Sequence, residues 1–406
     1  MPGSGGAAAL DDLPEWIVVE EILIRLPPKD ILRCRAVCRW WHSATSTDKF
    51  MLDHHRRQPL LPILSQVLDP QPQKACLLFS FDAGADQQQL CPVIQTDCYS
   101  NLQATLDGLL IVSHGSVVPK FYICNPVIRK CALLAKPQTQ EGFYNRIVGF
   151  YRHNPSGGEY RVLWVSTNAE DTNCTTFYYA IAVGSDNTRY IGQGCIPQPN
   201  SSSPSLELAL HRGLIGSSQF PPVHHRGSLH WRLGTYSGWD ADYIMVFNTS
   251  PETFRLMYRP ARLCNCLNES LLKMDNTLAL CSIVHDKHTI DISVVHDYDA
   301  ETWSLKHRIN LTGLDPSALV DLEVTIFPRM AVLSGGGMLI RFTEFRVLHF
   351  GIDGKFLGYV MSKDDQEINL WISKHYLLES IIPLPLFHEM RKDDGANQEP
   401  PFFVGL

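Results

Sequence analysis

The chain has 406 residues, 45% hydrophobic and 19% charged, which excludes a disordered chain and allows one large domain with a smaller companion or two to three ordinary domains. A formal net charge of −7 excludes a nucleic-acid binder that relies on a strongly basic surface. Twelve cysteines at irregular spacing do not make a disulfide scaffold, and no uninterrupted apolar run is long enough to span a bilayer. The opening "MPGSGGAAALDD" has no basic or apolar leader, so reduced thiols and a place in the cytoplasm, the nucleus or both are expected, with no membrane partner.

Residues 1–12 are small and are expected to be a disordered lead. Residues 13–57 read as helical. Trp16, Val19, Ile22, Leu23 and Leu26 recur at helical spacing and predict one apolar stripe. Pro14 suits a first turn, and Pro27-Pro28 ends the helix. Ile31, Cys34, Val37, Cys38 and Trp41 continue the period as one helix or two. Some forty residues make a marginal core of their own, which raises the question of what so apolar a segment packs against. Residues 58–75 carry four prolines and read as a linker.

From Cys76 the period changes from 3.6 to 2. "CLLFSF" (76–81), "GLLIVS" (108–113), "RIVGFY" (146–151), "YRVLWVS" (160–166) and "TFYYAIAV" (176–183) predict strands, as do "SLHWRL" (228–233), "YIMVFN" (243–248), "TLALCSIV" (277–284), "DISVVHDY" (291–298) and "FRVLHFGI" (345–352). Gly, Pro, Asn and Asp separate them. Many short strands with little helix between them predict an all-β domain over 76–388, with a long loop at 198–205 and a flexible tail over 389–406.

Four hairpins share one form: "FYICNPVIRKCALL" (121–134), "YIMVFNTSPETFRLM" (243–257), "ISVVHDYDAETWSLKHRI" (292–309) and "VLHFGIDGKFLGYV" (347–360). Each follows a strand entered through a small turn: "DGLLIV", "RGSLHW", "NTLALC" and "GGMLIR". Such units, recurring at about fifty to sixty residues, predict blades that stack radially, as in kelch-type propellers. A β-sandwich with repeated hairpins is the alternative. The fold class expected is therefore α+β in two parts: a small all-α unit, then a large all-β, propeller-like domain.

The opening segment resembles the F-box. The residues that carry the likeness are Leu13-Pro14, Ile22-Leu23, Leu26-Pro27, Ile31-Leu32, then Arg35-Ala36-Val37-Cys38-Arg39 and Trp41, ending near Phe50. The remainder is similar to the F-box-associated β domain of plant F-box proteins, through "DGLL" (107–110), "FYICNPVIRK" (121–130), "GSLHW" (227–231) and "HYLLESIIPL" (375–384). The first resemblance implies three short helices that dock a Skp-family adaptor, and through it a cullin-based ubiquitin ligase. It places adaptor contacts at Leu13, Pro14, Ile17, Ile22, Leu26, Ile31, Leu32, Val37, Cys38 and Trp41. The pattern departs at "CRWW", where Trp40 adjoins Trp41; neighbours on a helix face apart, so one is expected to turn to the adaptor and the other to the linker.

Catalytic and cofactor motifs are lacking. His285, His288 and His296 with Asp286 and Asp291 are close in sequence, but "VHDKHT" reads as a turn. Cys34 and Cys38 read as small buried apolar residues. No Gly-x-Ser-x-Gly elbow occurs, and "SGGGM" (334–338) lacks the lysine of a phosphate loop. No metal or other cofactor is expected, and no enzymatic activity. In "HWRLGTYSGWDADY" (230–243), Trp231 and Tyr243 are expected to face the core. Arg232, Tyr236 and Trp239 are candidate contacts for a protein substrate, because Arg and aromatics dominate recognition hot spots. The function expected is substrate recognition for a ligase; an F-box scaffold outside the ligase, or a propeller enzyme or small-molecule sensor, are the alternatives.

Overall fold

A computed structural model describes residues 13–68, 75–82, 89–97, 100–115, 118–139, 142–153, 158–168, 176–194, 206–212, 214, 221–233, 243–260, 266–284, 289–311, 329–341, 346–351, 353–360, 370–384 and 402. The helical unit begins with one α-helical turn, α1 (Glu15–Ile17). It widens into a π-helical stretch over Val18–Ile22 and tightens into a 3-10 turn over Leu23–Arg25. This winding corrects the single stripe expected here, because a wider turn rotates the buried face. Val18, Leu23 and Ile24 are buried, whereas Trp16 and Ile22 are exposed.

The second helical pattern is two helices, α2 (Pro28–Arg35) and α3 (Arg39–Thr45), followed by α4 (Asp48–Arg57). Pro28 opens α2, where a missing N–H costs nothing, and Arg33 and Arg35 lie in its last turn, where cations suit the helix dipole. The Cys38 Sγ accepts the Trp41 N–H at 3.4 Å and caps α3, so Cys38 is an exposed capping residue and not the buried one expected. Thr47 caps α4 in the same way through the Phe50 N–H. Arg35 ties α2 to α3 by donating to the Thr45 hydroxyl at 3.1 Å and its carbonyl at 2.6 Å. His54 of α4 bonds the Leu26 carbonyl at 2.8 Å.

The β domain is a six-bladed propeller of four-stranded antiparallel sheets. Blade 2 holds β4 (Ser100–Leu106), β5 (Leu109–His114), β6 (Lys120–Asn125) and β7 (Lys130–Leu133). Blade 3 holds β8 (Phe143–Arg152), β9 (Tyr160–Asn168), β10 (Thr176–Ala182) and β11 (Thr188–Gly194). Blade 4 holds β12 (Val223–His225), β13 (Ser228–Arg232), β14 (Tyr243–Asn248) and β15 (Thr253–Tyr258). Blade 5 holds β16 (Cys266–Met274), β17 (Thr277–Val284), β18 (Thr289–Asp297) and β19 (Thr302–Asn310). Blade 6 holds β20 (Arg329–Val332), β21 (Met338–Arg341), β22 (Leu348–Phe350) and β23 (Phe356–Tyr359). Blade 1 is shared by the two ends of the chain: β24 (Leu370–Leu378) is its inner strand, and β1 (Leu60–Leu68), β2 (Ala75–Asp82) and β3 (Gln89–Asp97) complete it. The repeat visible in the sequence is the second strand plus the outer hairpin of blades 2, 4, 5 and 6.

Each seam between blades holds one apolar cluster. Phe121 meets Trp164 between blades 2 and 3, Tyr151 meets Phe247 between 3 and 4, and Leu339 meets Ile372 between 6 and 1. The other three seams are built alike. Strands such as β5 are buried on both faces, which explains continuous runs like "LLIV" where alternation would mark a half-exposed sheet. Fully burying a Leu or Phe stabilises by roughly 1.5–3 kcal/mol, so the ring is held by its seams.

Three expectations are corrected. Residues 58–75 are not simply a linker, because β1 lies within them and pairs with both β2 and β24. Its Pro62 sits at an irregularity in the register, where the lost N–H does least harm. Phe402, in the stretch expected as a flexible tail, is fully buried against Tyr122. Cys124 and Cys131, expected as thiols, face each other across the β6–β7 pair and are joined as a disulfide. The expected lead over 1–12 and loop over 198–205 lie outside the described residues.

Candidate functional site

The helical unit presents an apolar surface. Leu13 and Pro14 open it, and Trp16, Ile22 and Val37 stand out from it, with Trp16 59% and Val37 67% exposed. Cys38 is exposed beside Val37. Ile17, Leu26, Leu32 and Trp41 are half-buried, and Leu26, Leu32 and Trp41 pack against the helical core. Ile31 differs: it is fully buried between the helices, and in this conformation it offers a partner nothing. Trp40 and Trp41 both pack against the helical core, which corrects the expected division of one outward and one to the linker.

The other side of the unit is not free. Its core of Val18, Leu23, Ile24, Ile31, Phe50 and Met51 includes Val127 and Ile381 of the β domain. The propeller therefore covers part of this apolar segment. Asn125 holds the seam. Its side-chain amide donates to the carbonyls of Ser380 at 3.0 Å and Ile382 at 2.9 Å, and its oxygen accepts the Val127 N–H at 3.0 Å. Asp107 is a second tie. It meets His55 of α4 at 3.5 Å, Arg152 at 2.7 Å and the Tyr160 hydroxyl at 3.1 Å. Burial opposes its charge, but the hydrogen bond from His55 and the charge of Arg152 outweigh that and hold the carboxyl below its usual range.

Between α4 and the propeller lies a cavity of about 850 Å³, at one mouth of the central channel. The ends of inner strands and the turns at Asp107, Arg226 and Asn276 line it, with His55 and Arg56 of α4. Burial pushes the His224 imidazole down to about 4, so it is neutral near pH 7. The two-residue turns that reach this mouth have positive φ at both positions: Asp107-Gly108, Arg226-Gly227 and Asp275-Asn276. These are the tight hairpin turns that favour Asp, Asn and Gly, which is why the sequence marks them.

The opposite face carries the connections from second to third strands. Arg232 ends β13 there and is half-buried. Tyr236 and Trp239 lie in the β13–β14 connection, outside the described residues. Trp231 is fully buried and donates its indole N–H to the Val148 carbonyl at 3.0 Å, and Tyr243 packs against the same cluster, both as expected. Of the histidine and acidic group considered for metal, His285, Asp286 and His288 lie outside the described residues. Asp291 is taken by Arg308 at 2.6 Å, and His296 is exposed. Among the described residues no group of three or more such side chains could hold a metal ion.

Residues 10–56 match the F-box-like family, and residues 64–327 match the family described as F-box associated beta propeller domain. The chain belongs to the F-box associated beta propeller family. The F-box protein At5g49610 of Arabidopsis thaliana is 22% identical over 372 residues, covering 90% of this chain and 96% of that protein. The putative F-box protein At4g09190, also of Arabidopsis thaliana, is 27% identical over a shorter stretch, which spans 36% of this chain and 39% of that relative. Among solved structures, an oligogalacturonate lyase in complex with manganese superposes with a TM-score of 0.39 at 9% identity, over 70% of this chain and 72% of that chain.

The F-box-like unit therefore has one covered and one uncovered surface. One is fused to the turn face of the propeller, and the other is open. The motif named ten candidate contact residues, of which Ile31 is buried in the helical core. Sequence reasoning missed the residues of the fused surface, Asn125, Val127 and Ile381, although they lie in "CNPV" and "ESIIPL". Their role depends on two segments some 255 residues apart meeting in space.

Proposed function

We propose that this protein is the substrate-recognition subunit of a Skp–cullin–F-box ubiquitin ligase. The observation that carries this reading is the exposure of apolar residues of the F-box, Leu13, Pro14, Trp16, Ile22 and Val37, on a unit whose core packs against the propeller through Val127 and Ile381. An exposed patch of this kind marks a docking surface, and burying it against an adaptor's helices supplies the hydrophobic term. The opposite propeller face captures a protein substrate, with Arg232, Tyr236 and Trp239 as proposed contacts. Because the F-box is fixed to the propeller by packing and hydrogen bonds, the substrate is held at a set distance from the adaptor. The protein makes and breaks no bond; its contribution is proximity.

The test is a pull-down with purified Skp-family adaptor. Full-length protein is compared with Leu13→Ala/Pro14→Ala, Val37→Ala and Trp41→Ala, each checked for native fold by circular dichroism. Truncating a central anchor is expected to cost about 2 kcal/mol or more, roughly a thirtyfold loss of affinity. If the folded wild-type protein does not bind the adaptor, the ligase reading is wrong.

A further inference from the structure

Cys124 of β6 and Cys131 of β7 stand at directly paired positions of one hairpin and are joined as a disulfide. Among the described residues, Cys34, Cys38, Cys76, Cys91 and Cys281 are not disulfide-bonded. The two joined cysteines differ in access. Cys124 is fully buried in the seam between blades 1 and 2, in one cluster with Ile63, Leu110, Val112 and Leu377. Cys131 packs against that cluster and is half-buried, so its sulfur is the easier one to reach.

The bond spans a sequence separation of 7 and closes a loop over residues 125–130. Cross-linking so short a loop restricts the unfolded chain less than closing a long one, and backbone pairing already joins these two strands. The effect of the bond is therefore local, and the loop that it closes is the seat of the F-box. Asn125 directly follows Cys124 and is fully buried. Its amide donates to the Ser380 and Ile382 carbonyls, and its side-chain oxygen accepts the N–H groups of Val127 at 3.0 Å and Ile128 at 3.4 Å. Val127 enters the helical core in the same cluster as Ile31 and Ile381. Lys130, which pairs with Asn125, directly precedes Cys131. The bond thus clamps both ends of the segment on which the F-box rests.

We propose that the Cys124–Cys131 pair is a redox-modification site, opened by a dithiol reductant and closed by the disulfide form of that reductant, and that it sets how firmly the F-box is seated. In opening, a thiolate of the reductant attacks the Cys131 sulfur. The S–S bond breaks, and Cys124 leaves with the electron pair and takes up a proton. The second thiol of the reductant then displaces Cys131 from the mixed disulfide, and Cys131 is protonated in turn. Two electrons pass: the protein disulfide becomes two thiols, and the dithiol becomes a disulfide. Closing is the reverse. With the bond open, only the hairpin pairing and the Asn125 hydrogen bonds hold the loop, and the F-box above it loosens. The site rests on the fold alone and does not depend on the ligase reading.

Full-length protein equilibrated in mixtures of reduced and oxidised dithiothreitol tests this. Alkylation with iodoacetamide and mass spectrometry should find both cysteines modified at the reducing end and neither at the oxidising end. Hydrogen exchange in the same samples should be at least fivefold faster on reduction at Val127 and Ile128 in the loop and at Ile31 in the F-box. Leu280 of blade 5 is the internal control and should not change. Cys131→Ala, checked for native fold by circular dichroism, should exchange fast at those three positions in every mixture. The comparison of wild type with itself needs no variant, so a poorly folded variant leaves the test intact. Both cysteines remaining open to alkylation at the oxidising end would overturn the proposal. Equal exchange by reduced and oxidised wild type would overturn it too, as would a folded Cys131→Ala protein that still responds to the mixture at Val127.

Discussion

Glu252 shows how much a single turn residue can hold. Its side chain is fully buried at a positive φ of 55° in the outer turn of blade 4. It accepts the Tyr151 hydroxyl at 2.5 Å and meets Arg161 and Arg189 at 2.8 Å each, all from blade 3. Removing one partner of a buried ion pair leaves the others without compensation. Glu252→Ala is therefore expected to cost about 3 kcal/mol in urea unfolding, with Glu252→Gln losing less; a cost under about 1 kcal/mol for the alanine variant would show that the cluster is not a staple between blades. The histidines make a second residue-scale case. Burial depresses His224 and His375 to about 4 and His230 to about 3. The carbonyl of Val223 fixes the His230 proton on Nδ1, leaving Nε2 to accept the Tyr298 hydroxyl at 2.7 Å. Unfolded histidine titrates near 6.5, so between about pH 6.5 and 4 the unfolded chain binds more protons than the folded one. The stability these neutral rings contribute is full above that window and falls as pH drops through it. Urea midpoints measured across the window should decline with acidification, and a flat profile would refute the assignment; His230→Gln should make the decline shallower.

At the scale of elements, the turns were the most legible part and the windings the least. "DG" and "RG" announced hairpins, and the Asn that opens "NTLALC" announced a third, because few residues tolerate positive φ at two adjacent positions. Gly108 has an added reason to be glycine: at φ +82° a Cβ would lie 2.5 Å from Ser380 Cβ and 2.7 Å from the Leu378 carbonyl. Gly108→Ala is expected to destabilise by more than about 1 kcal/mol and to loosen the seam below the F-box. Hydrogen exchange at Val127 and Ile381 is the measurement, and unchanged protection there would count against it. Within the F-box, Ile31→Ala should cost about 2–5 kcal/mol by opening a cavity in the helical core, whereas Val37→Ala should leave the thermal midpoint almost unchanged and act only on adaptor binding. The sequence pattern could not separate these two roles. Periodicity tells which residues are apolar, but the π-helical stretch over Val18–Ile22 decides which of them point inward. β1 was hidden for a related reason, since Pro62 within it broke the alternation that marks a strand.

On the scale of the whole molecule, the propeller closes only when β24 lies beside β1, joining Leu370–Leu378 to Leu60–Leu68. Deleting residues 370–406 removes that inner strand together with Ser380 and Ile381, which meet Asn125 and the F-box core. Such a protein is expected to lose cooperative thermal unfolding and resistance to limited proteolysis; retention of both would mean that the ring does not need its closure. The sequence by itself determined the two-part division, the β period, the tight turns and the F-box motif, because each is encoded by neighbours along the chain. Only the tertiary structure decided the number of blades, the sharing of blade 1 between the chain's two ends and the face on which the F-box sits. Those features join residues up to some three hundred positions apart, and nothing local records which distant strand or side chain will complete a seam or a cavity.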